Sequence, residues 1–305
     1  MHSVDMIFDH MPKAMPLYLR GMAGHRRGIR HGEKLPGIKA RVKGFRIDQS
    51  HLRKVAGILS FGSGSTMPLI YPLTFLFPLH MSLITHRDFP FLYLAMLHTR
   101  DHVLQHRQVG LDEHLEITCV IASQRILTKG LEFDLHTVIR SDEAPVWEGI
   151  STNYFPGYFG APDDFSPRMP AEPLAGDHSG IKWTMPARGK LRFGLLIGDY
   201  NGIHYSAPYA RIMGFRSDFA HGQRSLAECL FRLPPLQENL PIRLDVALKG
   251  PVYYGRSVVM RYMTDHGDRR FDLYSGDNPK PCLMGSLYNV EPGSFLFDEQ
   301  ERMAP

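Results

Sequence analysis

The chain has 305 residues, of which 43% are hydrophobic and 22% charged, a composition that indicates a globular protein and argues against a disordered or fibrous one. Its 35 basic and 31 acidic residues give a formal net charge of +4 without a dense basic tract, which argues against a nucleic-acid-binding protein. Three scattered cysteines are too few for a disulfide framework, and no signal-peptide pattern opens the chain, so we expect a cytoplasmic protein.

The first 55 residues are predicted to form a basic extension that wraps over the folded body. They show little hydrophobic periodicity, and the basic clusters His25–Arg27 and Arg30–His31 lie among glycines. Two folded halves are then predicted, the first over residues 56–165 and the second over residues 166–305.

The apolar segment Met67–Ile84 has nearly the length needed to cross a bilayer. Pro68, Pro72 and Pro78 would each disturb a membrane helix, because each lacks a backbone donor. We therefore predict a buried, irregular strand-and-turn segment here, and no membrane span.

A helix is predicted from Phe89 to about His106, because Pro90 suits a first helical turn and leucines follow at helix-like steps. On such a helix His98, His102 and His106 would lie on one side, where they could hold a metal ion. A metal site also needs a further ligand and supporting hydrogen bonds, so a solvated helix edge is the favoured interpretation.

Strands are predicted after this segment. They cover residues 117–121, 131–139 and 146–154, and the middle one alternates apolar and polar residues as a half-buried antiparallel strand does. The stretch from Phe155 to about Gly180 is rich in proline and glycine and is the best linker candidate.

The same order of elements recurs after the linker. A helix is predicted from Gly222 to about Leu233, followed by strands at 242–248, 257–263 and 282–290. Helix, strand, turn, strand, turn, strand therefore occurs twice, at a spacing of roughly 130 residues. We predict an α+β double hot-dog fold, with two helix-wrapped antiparallel sheets in one chain.

Between the linker and that helix, the turn Gly198–His204 carries the residues with the most chemical potential. Asp199 could act as a base or hold a water molecule, His204 could exchange a proton with that water, and Asn201 could orient either. Gly222 opens the predicted helix, so its N–H is a candidate oxyanion donor for a thioester carbonyl. On spacing alone, a self-capping turn without chemistry is the commoner explanation.

Three motifs resemble the hydratase 2 signature of the MaoC-like (R)-specific enoyl-thioester hydratases. They are Gly198-Asp199-x-Asn201-x-x-His204, Tyr209-Ala210-Arg211-x-x-Gly214-Phe215 and Ala220-His221-Gly222. Three shorter sequences resemble the non-catalytic half of double hot-dog members: Tyr71-Pro72, Phe89-Pro90-Phe91 and Val146-Trp147-Glu148. The resemblance thus covers most of the chain beyond the first 55 residues.

The resemblance implies that Asp199 and His204 hold the catalytic water, with Asn201 as their orienting neighbour and the Gly222 N–H as oxyanion donor. Water would add reversibly to a trans-2-enoyl thioester to give an (R)-3-hydroxyacyl thioester. No metal or redox cofactor is implied, and the first half lacks the Asp-x-Asn-x-x-His pattern, so one active site per chain is expected. Gly202 departs from the pattern, which commonly has proline there, and the change would loosen the turn.

Several residues near the motif are candidates for binding the CoA or carrier-protein arm of the substrate. These are Lys190, Arg192, Arg211, Arg216 and Arg224, and His221 is a further candidate for binding the substrate. Most surface arginines have no such role, so the positions stay candidates. A double hot-dog chain already pairs two units, and further pairing into a homodimer is possible.

Two other functions remain open from the sequence. Hot-dog folds also include thioesterases, in which Asp199 would direct water at the thioester carbonyl. A non-catalytic subunit that binds an acyl carrier is the second alternative. Release of free thiol would indicate hydrolysis, whereas loss of enoyl absorbance without thiol would indicate hydration.

Overall fold

The computed structural model describes residues 3–22, 26, 28–59, 64–163, 172–174, 180–234, 240–276 and 278–297. The predicted boundary between residues 165 and 166 and the basic residues His25 and Arg27 lie outside these ranges. Within them the chain forms eleven strands and seven α-helices.

The amino-terminal elements are β1 (Ser3–Phe8), α1 (Ala14–Met22), β2 (Gly37–Phe45), α2 (Gln49–Leu59), α3 (Pro72–Phe75), α4 (Phe77–Ile84), β3 (Leu97–Gln105), β4 (Leu115–Leu127), β5 (Gly130–Ser141) and β6 (Ala144–Pro156). The carboxy-terminal elements are β7 (Gly180–Thr184), α5 (Lys190–Ile197), α6 (Ala207–Ile212), α7 (Gly222–Arg232), β8 (Ile242–Leu248), β9 (Ser257–Asp265), β10 (Asp268–Ser275) and β11 (Leu283–Asn289).

All described strands join one sheet, in the order β1-β2-β4-β5-β6-β3-β8-β11-β10-β9-β7. The run β2-β4-β5-β6-β3 in the first half is mirrored by β7-β9-β10-β11-β8 in the second, and both halves place helices between their first and second strands. Antiparallel pairing of β3 with β8 joins the halves, from Arg100 opposite Ala247 to Gln105 opposite Ile242. The predicted α+β double hot-dog arrangement and its internal repeat are thus present.

The helix predicted from Phe89 to His106 is wrong. A single 3-10 turn at Tyr93–Ala95 precedes strand β3, which lies between β6 and β8 with Val103 opposite Gly149 on one side and Leu244 on the other. The spacing of the leucines favours a helix, but backbone hydrogen bonds to a neighbouring strand on each side favour a strand. Such long-range pairing is not visible in local sequence propensity.

The helix of the first half lies instead in the segment predicted to be irregular. Pro72 and Pro78 occupy the first turns of α3 and α4, where a helix has no acceptor for the missing N–H. The prolines therefore start helices rather than prevent them, and the strand-and-turn prediction is wrong. None of the helices in the described ranges is long and apolar enough to cross a bilayer.

The amino-terminal segment is part of the folded body rather than an extension that wraps over it. Strand β2 pairs antiparallel with β4, and its buried residues Ile38, Ala40 and Val42 alternate along the strand. Helix α1 packs on α4, and the predicted boundary at residue 55 falls inside α2. The repeat therefore begins at β2.

The other predicted elements are confirmed with adjusted ends: the three strands of the first half, helix α7, and strands β8, β9 and β11. Strand β10 was not expected. It pairs with both β9 and β11 and buries Phe271 and Leu273, but charged residues interrupt its apolar pattern. Phe271 packs closely on Gly285 of β11. A Cβ added at Gly285 would lie 2.3 Å from the Phe271 ring.

Candidate active site

The turn that carries Asp199 begins where helix α5 stops. Gly198 adopts a left-handed conformation with φ of 79°, which ends the helix and turns the chain sharply. A Cβ at this position would lie 2.7 Å from the Cβ of Ala14 in α1, so the amino-terminal helix presses directly on the turn. Only glycine satisfies both the conformation and the contact.

Hydrogen bonds within the turn fix its shape. The Asn201 N–H donates to Asp199 Oδ1 at 2.9 Å, and the Ile203 N–H donates to Asn201 Oδ1 at 3.3 Å. Asn201 thereby caps the short 3-10 turn Gly202–His204. It acts on the predicted site through the backbone, by holding His204 in position.

The Asp199 carboxylate and the His204 imidazole face each other across a gap of 3.7 Å between Oδ2 and Nε2. His204 Nδ1 lies 3.0 Å from the Phe219 carbonyl oxygen, an acceptor, so a neutral ring carries its proton on Nδ1 and turns an unprotonated Nε2 toward Asp199. The gap is too long for a direct hydrogen bond, and one oxygen atom between the two groups could bond to both.

Burial shifts the pKa values of the pair toward each other. It raises the pKa of Asp199 above 3.8, against the opposing effects of His204, the Asn201 N–H and His98. Burial also lowers the pKa of His204 below 6.5, opposed by Asp199 and by the Phe219 carbonyl. Such perturbed neighbours in a cavity are typical of functional sites.

His221 completes the cluster. Its ring stacks on that of His204 with centroids 3.8 Å apart, and its Nε2 lies 3.6 Å from Asp199 Oδ2. Neither ring nitrogen has a hydrogen-bond partner in the described part of the chain. Burial, His204 and Arg224 hold the pKa of His221 well below 6.5, so the ring is neutral.

The same three side chains are the one group among the described residues with metal-ligand spacing, all ligand atoms lying within 4.8 Å of one another. An imidazole binds a metal ion in the plane of its ring. The two histidine rings are inclined by only 26° and are stacked, so one ion cannot lie in both planes. The arrangement therefore fits a metal poorly and fits proton exchange well.

Gly222 is the first residue of α7, where an N–H has no acceptor within the helix. A Cβ here would lie 2.7 Å from the Cδ1 of Leu248, so β8 passes close to the helix start. Gly222 lines the same cavity as Asp199 and His204. This is the position that the sequence predicts for an oxyanion donor.

The cavity has a volume of about 950 Å³ and is built from both halves of the chain. The second half contributes the turn with Asp199 and His204, the start of α7 and the end of β8, and the first half contributes α3, α4, β3, β5 and β6. Apolar residues of the first half in this wall include Leu73, Phe77, Ile84 and Leu135. A substrate at Asp199 would therefore extend into the first half.

Sequence reasoning missed two residues of this wall, Tyr93 and His98, because it assigned their segment to a helix. His98 Nε2 lies 2.9 Å from Asp101 Oδ1, which also accepts a hydrogen bond from Ser151 at 2.8 Å. Although burial opposes it, Asp101 raises the pKa of His98. The cavity thus holds an ion pair that faces Asp199.

His102 and His106 lie on strand β3 and have separate carboxylate partners. His102 Nδ1 is 2.6 Å from Asp245 Oδ1, and His106 Nε2 is 2.9 Å from Glu148 Oε1. In the described part of the chain these histidines form neither the metal site nor the solvated helix edge considered from the sequence, since each is partly buried against its own carboxylate.

The predicted cations of the substrate arm lie elsewhere. Lys190 Nζ forms a 2.6 Å ion pair with Asp218, whereas Arg192, Arg211 and Arg216 are exposed. None of these four is among the described residues that line the cavity, while His221 is. The structure brings together Asp199, Asn201, His204, His221 and Gly222, and leaves the cations outside.

Packing around Gly202 disfavours the proline that is common at this position in the hydratase 2 pattern. A Cβ there would lie 2.8 Å from Cδ1 of the Tyr209 ring. We expect Gly202→Pro to lower kcat/KM about tenfold, because a displaced Tyr209 would shift the turn that holds His204. Steady-state kinetics of Gly202→Pro beside Gly202→Pro/Tyr209→Ala would check this. Full activity in the single variant would contradict it, and recovery in the double variant would support it.

No family model matches the chain. A 3-hydroxyacyl-thioester dehydratase of Mycobacterium tuberculosis is 25% identical over 249 residues, which are 82% of this chain and 86% of that protein. Its crystal structure superposes with a TM-score of 0.66 at 23% identity, covering 83% of this chain and all of the other.

Two further structures share the fold. A MaoC-like dehydratase from Phytophthora capsici has a TM-score of 0.63 at 16% identity and matches 85% of this chain and 96% of its own. A second Mycobacterium tuberculosis protein with a double hot-dog fold has a TM-score of 0.50 at 10% identity and matches 88% of this chain and 96% of its own. The fold of the chain is thus a double hot-dog.

Proposed function

We infer that this chain is a MaoC-like acyl-thioester hydratase/dehydratase, a hydro-lyase of fatty-acid metabolism that interconverts trans-2-enoyl and (R)-3-hydroxyacyl thioesters. The observation that carries this inference is the 3.7 Å separation of Asp199 Oδ2 and His204 Nε2 at a cavity that Gly222 also lines. The similarity to a 3-hydroxyacyl-thioester dehydratase over 82% of the chain supports it.

Each group has a defined task in hydration. A water molecule between Asp199 and His204 gives a proton to the pair as its oxygen bonds to C3 of the enoyl group. The electrons of the C2=C3 bond move toward the thioester carbonyl, where the Gly222 N–H stabilises the enolate oxygen. The pair then returns a proton to C2, and dehydration follows the same steps in reverse.

The pH dependence follows from the two shifted pKa values. The active form needs an ionised Asp199 and an unprotonated His204 Nε2, and both conditions fail as the pH falls. Because burial raises the pKa of Asp199 and lowers that of His204, and both groups must be unprotonated, we expect kcat/KM to fall along an acid limb and to reach a plateau above it. A profile of kcat/KM against pH would check this, and activity that declines as the pH rises through neutrality would contradict it.

The proposed reaction is tested with trans-2-enoyl-CoA substrates of varied chain length. Hydration removes the enoyl absorbance without releasing thiol, and a stereospecific dehydrogenase reads the configuration of the product. Free thiol would instead identify a thioesterase. If no enoyl thioester of any length is turned over, and carrier-bound substrates also fail, the non-catalytic alternative would replace the proposal.

Hydration is favoured over hydrolysis by the site. A thioesterase needs one carboxylate to direct water at the carbonyl carbon. Here a histidine with an unprotonated nitrogen faces the carboxylate, so two groups can exchange protons with water and with C2 in turn. The oxyanion donor lies on a different element, at the start of α7.

The substrate arm and the compartment are proposals of the same kind. The exposed Arg192, Arg211 and Arg216 stay candidates for the phosphates of CoA or a carrier protein, whereas Lys190 is neutralised by Asp218. If a charge-reversal variant of one of these three arginines raised the KM for a CoA substrate, a role of that arginine in binding the substrate arm would be supported. The three cysteines are free and buried, which agrees with a reducing, cytoplasmic compartment.

A further inference from the structure

The mouth of the cavity lies at the seam between the two halves. Most described residues that line the cavity are buried or half-buried, and the exposed ones are Leu97, Glu172, Lys249 and Gly250. Leu97 begins strand β3 and Lys249 directly follows strand β8. The pairing of Arg100 with Ala247 brings these two strand ends together. The cavity therefore opens to solvent where β3 begins and β8 ends.

A bound substrate has to place its charged end at this mouth. Leu73, Ile84 and Leu135 line the first-half part of the cavity and are buried, so they suit the apolar acyl chain. The thioester lies at Asp199 and Gly222 in the proposed reaction. CoA and carrier proteins both attach to the acyl group through pantetheine, which ends in a phosphate. Because burying that charge would be costly, the phosphate should lie at the mouth, in contact with water.

The segment Lys249–Val252 leads from the proposed thioester site to the mouth, and all four of its residues line the cavity. Leu248 immediately precedes it, and a Cβ on Gly222 would lie 2.7 Å from Leu248 Cδ1. At the other end of the segment, the Ala220 N–H donates to the Val252 carbonyl at 2.9 Å. Both ends are thus held beside the start of α7, where the oxyanion donor is expected.

Lys249 has a fixed backbone and an uncompensated charge. Its N–H donates to the Cys282 carbonyl at 2.8 Å, whereas its ammonium forms no ion pair or hydrogen bond with a described residue. Glu172, the acidic residue at the same mouth, does not pair with it. Arg100 is the other lysine or arginine in the described lining, and it pairs with Glu132 at 2.6 Å. Lys249 is therefore available to an anion from outside.

The cations that the sequence suggested for the substrate arm are less well placed. The described lining of the cavity contains none of Lys190, Arg192, Arg211, Arg216 and Arg224. Arg224 is 1% exposed and donates to the Arg188 carbonyl at 2.7 Å, so it is engaged within the fold. Those residues were chosen for their closeness to the motif in sequence. Lys249 is brought to the mouth by the pairing of β8 with β3 instead.

We propose that Lys249 binds the phosphate of the pantetheine arm that CoA and carrier-protein substrates share. This inference rests on the proposed hydratase function and names the residue that holds the charged end of its substrate. The lysine ammonium offers three donors to phosphate oxygens. Since the contact lies at an exposed position, it is modest in strength and weakens with added salt. Lys249 contributes to substrate binding, whereas Asp199 and His204 carry out the proton transfers.

The test compares three trans-2-enoyl thioesters with one acyl chain and different arms: CoA, pantetheine 4′-phosphate and pantetheine. The acyl chain is the one that the wild type hydrates fastest as a CoA thioester. Lys249→Gln should lower kcat/KM about threefold to tenfold for both phosphorylated substrates, mainly through KM. Lys249→Glu should lower it further, and Lys249→Arg should stay close to the wild type. With the pantetheine thioester, all three variants should match the wild type.

Lys182→Gln is the matched control, because Lys182 is an exposed lysine on the edge strand β7 and is not in the described lining. It should match the wild type with every arm. Equal losses with and without the phosphate would indicate a structural role for Lys249 and overturn the proposal. Unchanged kcat/KM for the CoA thioester in Lys249→Glu would overturn it as well.

Two further outcomes separate the remaining explanations. A loss confined to the CoA thioester would assign the contact to the phosphates of the nucleotide and overturn the assignment to the shared phosphate. If the wild type turns over none of the three thioesters, at any chain length, the hydratase function itself is contradicted.

Discussion

Replacing Asp199 by asparagine is expected to lower kcat for enoyl hydration by about 10²–10⁴-fold, the usual contribution of a positioned acid or base. Asparagine keeps the size of the side chain and can still accept the Asn201 N–H at 2.9 Å, so the turn should survive. Its amide cannot take a proton from water, and the loss should therefore appear in kcat rather than in KM.

The same variant should be more stable than the wild type at neutral pH. The folded state raises the pKa of Asp199 above 3.8, so it binds this proton more tightly than the unfolded state does. Folding stability therefore falls as the pH rises from the unfolded pKa through the folded pKa, and asparagine removes that loss. Thermal unfolding at pH 5 and pH 8 would show a gain in stability of the variant over the wild type, and this gain should be larger at pH 8.

His204→Asn and the double variant are the controls for this pair. Because the two residues act on one water molecule, the double variant should be little slower than either single one. If the fold-losses in kcat of the two single variants multiplied in the double variant, a shared role would be contradicted. Retained activity in both single variants would refute the site assignment itself.

Gly198→Ala should be the most disruptive glycine substitution near the site. Gly198 and Gly189 flank helix α5 with nearly equal left-handed φ values of 79° and 76°. A Cβ at Gly198 would lie 2.7 Å from Ala14, but at Gly189 the nearest atom is 3.7 Å away, in Ile58. We expect Gly189→Ala to cost about 1–2 kcal/mol from backbone strain and Gly198→Ala a further 1–3 kcal/mol from overpacking.

Urea denaturation of the two variants separates strain from packing, since the strain is common to both. Adding Ala14→Gly to the Gly198→Ala variant should recover only the part of the lost stability that comes from overpacking. Activity should fall in Gly198→Ala alone, because the next residue is Asp199. Equal destabilisation by the two alanines would show that α1 does not press on the turn.

The grouping of the candidate site residues was predictable because three of them are close together in sequence. Asp199, Asn201 and His204 lie on one turn whose hydrogen bonds are local, so a motif six residues long specifies the geometry. The Gly222 N–H was predictable for a similarly local reason. The first N–H of a helix has no acceptor within the helix, so its position follows from where the helix begins. The stacking of His221 on His204 depends on the packing of α7 and could not be read from spacing.

The first half was harder to predict for a physical reason. Leu94, Leu97 and Leu104, in and just before β3, recur at helical steps. Pairing with β6 and β8 nevertheless decides the conformation, and those partners are distant in sequence. Prolines 72 and 78 suggested a broken segment, although the first turn of a helix tolerates proline. Because β3 was assigned to a helix, the sequence did not place Tyr93 and His98 in the cavity wall.

Strands β3 and β8, side by side at the middle of the sheet, join a half that holds the proposed reacting groups to a half that lines part of the same cavity. In the proposed enzyme, the reacting groups and part of the surface that accepts the acyl chain are therefore encoded by separate stretches of one gene. Substitutions in the first stretch can change which acyl chains are accepted while the reacting groups stay constant. A chain of two repeated halves can diversify by mutation in one half, and exchange of first halves between relatives is the matching engineering route.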